Sequence, residues 1–167
     1  MELNAGKIRI KEDVLPLLAA ILICLAAGFF GSIVTMPAIT TWYAGLIKPS
    51  FSPPNWLFAP VWTLLYMLMG IAAFLVYKKG FNKPEVRNAL YLFALQLLLN
   101  VLWSFLFFGM HSPLYGLIGV VFLWLSIAAT LILFYRISKP AGLLFIPYLA
   151  WVSVASMLNL FIWMLNH

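Results

Sequence analysis

Polar and charged positions in this chain gather into a few short clusters, and between them the sequence is apolar on every side of any helix drawn through it. Five such runs, at about residues 14–36, 56–77, 89–109, 113–135 and 141–165, each reach the roughly 20 residues that a helix needs to cross about 30 Å of hydrocarbon. A membrane-crossing strand would alternate apolar and polar residues over about 10 positions, which these runs do not do. Helices satisfy their own backbone groups inside lipid. The pattern predicts an all-α fold, an integral membrane bundle of five transmembrane helices forming one domain over residues 1–167. An N-terminal arm is expected at about 1–13 and one long connection at about 37–55. The first run follows Lys7, Arg9 and Lys11 as a signal peptide would, but it exceeds the usual 7 to about 15 apolar residues and is read as a mature helix.

Composition agrees: 65% of residues are hydrophobic and 8% charged, against about a quarter charged in soluble proteins. Basic residues divide unevenly between the two sides of the predicted bundle. Lys7, Arg9, Lys11, Lys78, Lys79, Lys83, Arg87, Arg136 and Lys139 fall on one side, and Lys48 alone on the other. By the positive-inside rule the N-terminus is cytoplasmic and the long connection and C-terminus lie outside, an arrangement that suits a prokaryotic plasma membrane. The net charge of +6 is thereby accounted for by topology, which leaves no call for nucleic acid as a partner. The single cysteine, Cys24, excludes an intramolecular disulfide.

No Asp, Glu, Lys or Arg falls in the middle of a predicted span, which argues against ion-coupled transport. His111 and His167 have no Cys, carboxylate or second His at ligand spacing, so no built-in metal site is expected; haem with His111 as axial ligand is a remote variant. Nor does the bundle hold a Ser, His and carboxylate set for hydrolysis.

What remains is neutral and aromatic. Gln96, Asn100, Trp103 and Phe107 recur at helical spacing on the third span, Trp151, Ala155, Asn159 and Ile162 on the fifth, and Trp62, Tyr66 and Met69 or Gly70 on the second. Converging, these faces would line an apolar cavity with a few amide groups, suited to a flat hydrophobic ligand. Asn100 and Asn159 would equally suit hydrogen bonds between helices. The first span carries a stripe of small residues, Ala20, Cys24, Gly28 and Ser32, that fits close helix packing within the bundle or in a dimer. Over the cavity, Pro49, Pro53, Pro54 and Pro60 stiffen a connection carrying Trp42, Tyr43, Phe51, Trp56 and Phe58, an aromatic lid.

Trp42-Tyr43, Lys48-Pro49, Pro53-Pro54, Trp56, Pro60-Val61-Trp62, Leu65-Tyr66 and Met69-Gly70, followed in order by Gln96, Asn100, Trp103-Ser104, Pro147-Tyr148, Trp151, Ala155 and Leu158-Asn159, resemble the signature of the translocator protein family, also called tryptophan-rich sensory proteins or peripheral benzodiazepine receptors. The resemblance implies a membrane receptor or sensor, a homodimer, that binds porphyrin or haem in a pocket beneath the first outer loop. By position, it assigns ligand contact to Trp62, Trp151, Asn100 and Ala155, with Tyr43, Phe51 and Pro53 on the lid side. It also implies two alternatives: light-dependent porphyrin degradation using Trp62 and Trp151, or passive transport of a lipophilic compound. The sterol motif of eukaryotic members is missing, since no Lys or Arg follows Tyr148, and Phe51 stands where many relatives have tryptophan.

Overall fold

The computed structural model describes residues 10–166, with side chains from residue 13 onward; Lys7, Arg9, His167 and the side chain of Lys11 lie outside the described residues. Among the described residues the regular structure is all helical: α1 (Ile10–Thr40), α2 (Phe58–Tyr77), α3 (Pro84–Ser104), α4 (Pro113–Ile137), α5 (Lys139–Leu143) and α6 (Ile146–Leu165). Five segments are long and apolar enough to cross a membrane, α5 and α6 together forming the last. This is a multi-pass membrane protein.

Each helix boundary has a local cause. Pro84 and Pro113 open α3 and α4, where a missing N–H costs nothing because the first turn has no intrahelical acceptor for it. The Ser112 hydroxyl accepts a hydrogen bond from the Tyr115 N–H at 3.3 Å, capping α4. α3 therefore begins about five residues before the apolar run that announces it, because its first turns are polar. At its other end it passes into a π turn over Phe105–Gly109, closed by Met110 N–H to Phe105 O at 2.8 Å, which turns both Phe107 and Phe108 inward. α1 continues through Pro37, where the apolar pattern suggests a stop, and ends at Thr40. The Pro37 carbonyl there accepts the hydroxyls of Thr40 and Thr41. The last span breaks between α5 and α6, because Pro147 cannot supply the hydrogen bond that would join them.

α1 packs on α2 and α3, α4 lies between α3 and α6, and the start of the last span at α5 meets α2, so the spans close into a ring. Glycines set the closest approaches. A Cβ on Gly70 would lie 2.6 Å from Ile21 Cα, so the backbones of α1 and α2 meet there with no side chain between them, whereas Gly28 makes room for the Tyr66 ring of α2 against α1. At the end carrying the basic residues, Phe93, Phe134, Phe145 and Tyr148 fill the interior through ring contacts of 5.2 to 6.2 Å.

Candidate functional site

A hollow of about 590 Å³ lies between α1, α2 and α3 in the half of the bundle beneath the long connection. Aromatic walls come from Trp56, Phe58, Trp62 and Tyr66 on the α2 side and from Trp103 and Phe108 on the α3 side. α1 supplies a smoother wall through Gly28, Gly31, Ser32 and Thr35. Phe29, Met36 and Trp56 on the rim are 66%, 60% and 73% exposed, so the hollow opens sideways toward lipid between α1 and α2. No Asp, Glu, Lys, Arg or His is among the residues lining it.

Its floor is held by a run of neutral hydrogen bonds. Tyr66 Oη donates to Asn100 Oδ1 at 2.5 Å, Asn100 Nδ2 to Tyr148 Oη at 2.8 Å, and Tyr148 Oη to Gln96 Oε1 at 3.1 Å. Gln96 Nε2 ends the run on the Met69 sulfur at 3.7 Å. Gln96 and Asn100 are almost wholly buried. Buried amides need such partners, since an unpaired polar group away from water costs about 1–3 kcal/mol. The run ties α2, α3 and α6 together.

Of the residues singled out by sequence, Trp62, Tyr66, Asn100 and Trp103 meet on the walls of this one hollow. Gln96 lies below it, joined through Tyr148. Trp151 and Ala155 are half-buried on α6 and do not line it. The Trp151 ring packs edge-on against Phe58 at 6.0 Å, and its Nε1 is buried without an acceptor. One turn deeper, Tyr148 packs against Trp62 at 6.1 Å, so the facing walls of α2 and α6 are joined by aromatic contacts. Asn159 bonds between helices: its Nδ2 donates to Pro113 O at 2.7 Å, and its Oδ1 accepts from Trp103 Nε1 at 3.4 Å.

The connection above is well secured. Tyr43 is 2% exposed and sits against Phe107 and Phe108, while Lys48 Nζ lies 4.7 Å from its ring centre and donates to the carbonyls of Tyr43 and Leu46. Burial pushes the Tyr43 phenol up to about 12. Trp42 stacks on His111 at 5.0 Å, Phe51 meets Phe161 at 5.5 Å, and Pro53 is half-buried. At the far end of α6, Asn166 both accepts from the Ile47 N–H and donates to its carbonyl, each at 2.9 Å.

Two features escape the sequence reading. Tyr148 is the central member of the hydrogen-bond run, and its place three residues before Trp151 on the same helical stripe is the signal that could have found it. The α1 wall of the hollow reads from sequence only as a packing stripe, although small residues leave room for a ligand as readily as for a helix.

A sequence model of the TspO/MBR family matches residues 20–164. The chain is 50% identical to the tryptophan-rich protein TspO of Chlorobaculum tepidum over 93% of this chain and 99% of the relative. It is 48% identical to the protein of the same name in Archaeoglobus fulgidus over 92% and 99%, and 42% identical to protein CrtK of Rhodobacter capsulatus over 86% and 88%. With the family pattern running through the spans that build the hollow and its floor, this chain belongs to the TspO/MBR family.

Proposed function

We propose that the protein is a membrane receptor for a flat, largely apolar ligand of the porphyrin or haem class, held in the hollow between α1, α2 and α3. The observation that carries this reading is the hollow itself: about 590 Å³, within the roughly 300–1,000 Å³ usual for ligand pockets, with indole, phenol and phenyl rings on two sides. Burial of a macrocycle face would supply most of the affinity, with ring stacking adding to it. Asn100 and Tyr66 offer the polar edge at the floor, while the Trp151 Nε1, buried without an acceptor, packs against Phe58 outside the lining of the hollow. The excess of basic residues at one end supports an N-terminus in the cytoplasm.

Protoporphyrin IX should quench tryptophan fluorescence saturably in the purified protein. Trp62→Ala, and Ser32→Phe from the opposite wall, should each weaken binding by about ten-fold or more, a loss of about 1.4 kcal/mol. Unchanged affinity in both variants would exclude this hollow. A second reading, photo-oxidation of the bound porphyrin by dioxygen with an indole as partner, is favoured by one observation: Trp62 lines the hollow and touches two phenols, Tyr66 at 5.7 Å and Tyr148 at 6.1 Å. Under that reading Trp62→Phe retains binding and loses a stoichiometric photoproduct on illumination. Bleaching at the rate of free porphyrin leaves binding alone.

A further inference from the structure

A second hollow, of about 410 Å³, lies between α1, α2 and α3 at the basic end of the bundle. Ala19, Ala20, Ala73 and Ala94 make room for it, and the Tyr77 hydroxyl is the one side-chain polar group among its lining residues. It is separate from the aromatic hollow. The two linings share no residue: α1 contributes Pro16, Ala19, Ala20 and Ile23 here, and only residues from Leu25 onward there. Ile23 and Tyr77 are 60% and 47% exposed, so the groove faces the surrounding lipid.

Its mouth is strongly basic. Tyr77 ends α2 and is followed directly by Lys78 and Lys79. On α3, Arg87, Leu90 and Ala94 recur at the spacing of one helical face, which puts Arg87 one turn beyond the groove-lining Leu90. Lys83 directly precedes Pro84, the first residue of the same helix. Asp13 engages Lys78 at 2.6 Å, and Glu85, two residues from Arg87, is on another face of α3, so Lys79, Lys83 and Arg87 carry the positive charge.

We propose that this groove is a site for one anionic phospholipid, with an acyl chain between α1 and α3 and the phosphate against Arg87 and its neighbouring lysines. An apolar slot open to lipid takes a hydrocarbon chain. The cations at its mouth select a headgroup with net negative charge over a zwitterionic one, each contributing about a five-fold preference at a membrane surface. From Pro16 to Ile23 the slot follows α1 for about 10 Å, which accommodates the upper part of a chain and leaves its tail in the bilayer.

Native mass spectrometry of the full chain, loaded from mixed micelles with phosphatidylglycerol or phosphatidylcholine of identical acyl chains, tests this. One phosphatidylglycerol should survive delipidation in preference to phosphatidylcholine, by about five-fold or more. Arg87→Gln should lower the preference by about five-fold, and Ala94→Phe, which fills the slot, should remove the retained lipid of either kind. Both variants should keep protoporphyrin quenching unchanged, since neither residue lines the aromatic hollow. Equal retention of the two lipids by the parent protein would overturn the proposal. So would an unaltered phosphatidylglycerol adduct in both variants, or a second copy of the chain occupying the groove in place of lipid.

Discussion

Replacing Asn100 with leucine, close to it in volume, removes the residue on which the floor of the aromatic hollow converges. Two hydrogen bonds go with it, the one accepted from Tyr66 at 2.5 Å and the one donated to Tyr148 at 2.8 Å. Side-chain hydrogen bonds inside membrane proteins average about 0.6 kcal/mol and reach about 1.7. Two of them, with the Tyr66 hydroxyl left buried and unpaired, bring the expected loss for Asn100→Leu to about 2–4 kcal/mol. Tyr66→Phe alone removes one bond and should cost about 1 kcal/mol. Because Asn100→Leu already abolishes that bond, the two losses should fall short of additive by about 1 kcal/mol in the double variant. Cys24 provides the assay. It is the sole cysteine and fully buried, so a thiol-reactive dye reports its exposure as the protein unfolds on heating. At about 2–4 °C per kcal/mol for a chain of this size, Asn100→Leu should lower the midpoint by about 4–16 °C. Tryptophan fluorescence should give the same order of midpoints. If the single losses simply add, within about 0.3 kcal/mol, Tyr66 and Asn100 are not coupled and the account of the floor is wrong.

Other changes separate rigid contacts from open ones. Gly70→Ala places a Cβ 2.6 Å from Ile21 Cα and should cost about 1–3 kcal/mol as α1 and α2 are forced apart, whereas Gly45→Ala, with nothing within 4 Å, should stay within about 0.5 in the same thermal assay. The Tyr43 phenol, raised to about 12, contributes stability that is fully present below its ordinary value near 10 and is lost as pH rises from about 10 to 12, on the order of 2 kcal/mol. Tyr43→Phe should flatten that alkaline loss in a pH series of midpoints and, having no hydroxyl partner to lose, should be neutral or stabilising at pH 7. Asn166→Ala frees the Ile47 N–H, whose hydrogen exchange should quicken about ten-fold while the helical core keeps its protection. Protoporphyrin and its dimethyl ester should bind within about three-fold of one another, because no Asp, Glu, Lys, Arg or His lines the hollow; a hundred-fold preference for the free acid, about 2.7 kcal/mol, would require a cation that the hollow does not contain.

Hydropathy identifies the spans because the lipid requirement is crude and strong: twenty apolar residues with self-satisfied backbones. It does not identify how a span ends. α3 starts among polar residues that hydropathy ignores, α1 runs through a proline whose carbonyl threonines help to satisfy, and the π turn at Phe105–Gly109 has no local signature beyond its inward phenylalanines. The site divides in the same way. Trp62, Tyr66, Asn100 and Trp103 share a hollow because helical spacing aligns them and the ring of helices turns those faces inward. Spacing says nothing about which neighbour closes the space. The partner is α1, whose glycines and serine allow either a helix or a ligand to come close. The α6 face instead meets α2 ring to ring, through Phe58 with Trp151 and Trp62 with Tyr148.

A charged residue at the floor of this hollow would have to be desolvated in the middle of a membrane, at a cost of at least about 2.5 kcal/mol and requiring a counter-ion. The run from Tyr66 to Met69 avoids that cost with phenols and amides, each of which can donate to one neighbour and accept from another. Such a run still has direction. Asn100 spends its oxygen on Tyr66 and an N–H on Tyr148, which fixes its amide plane, and the Tyr148 hydroxyl is fixed in turn by donating to Gln96. The result is a stiff polar floor carrying no net charge, beneath aromatic walls that open toward lipid. A ligand taken from the bilayer need not shed a counter-ion or recruit one. In the receptor proposed above, selection would rest on the shape of an apolar face and on a small number of oriented hydrogen bonds, which suits a planar macrocycle more than an ion or a small metabolite.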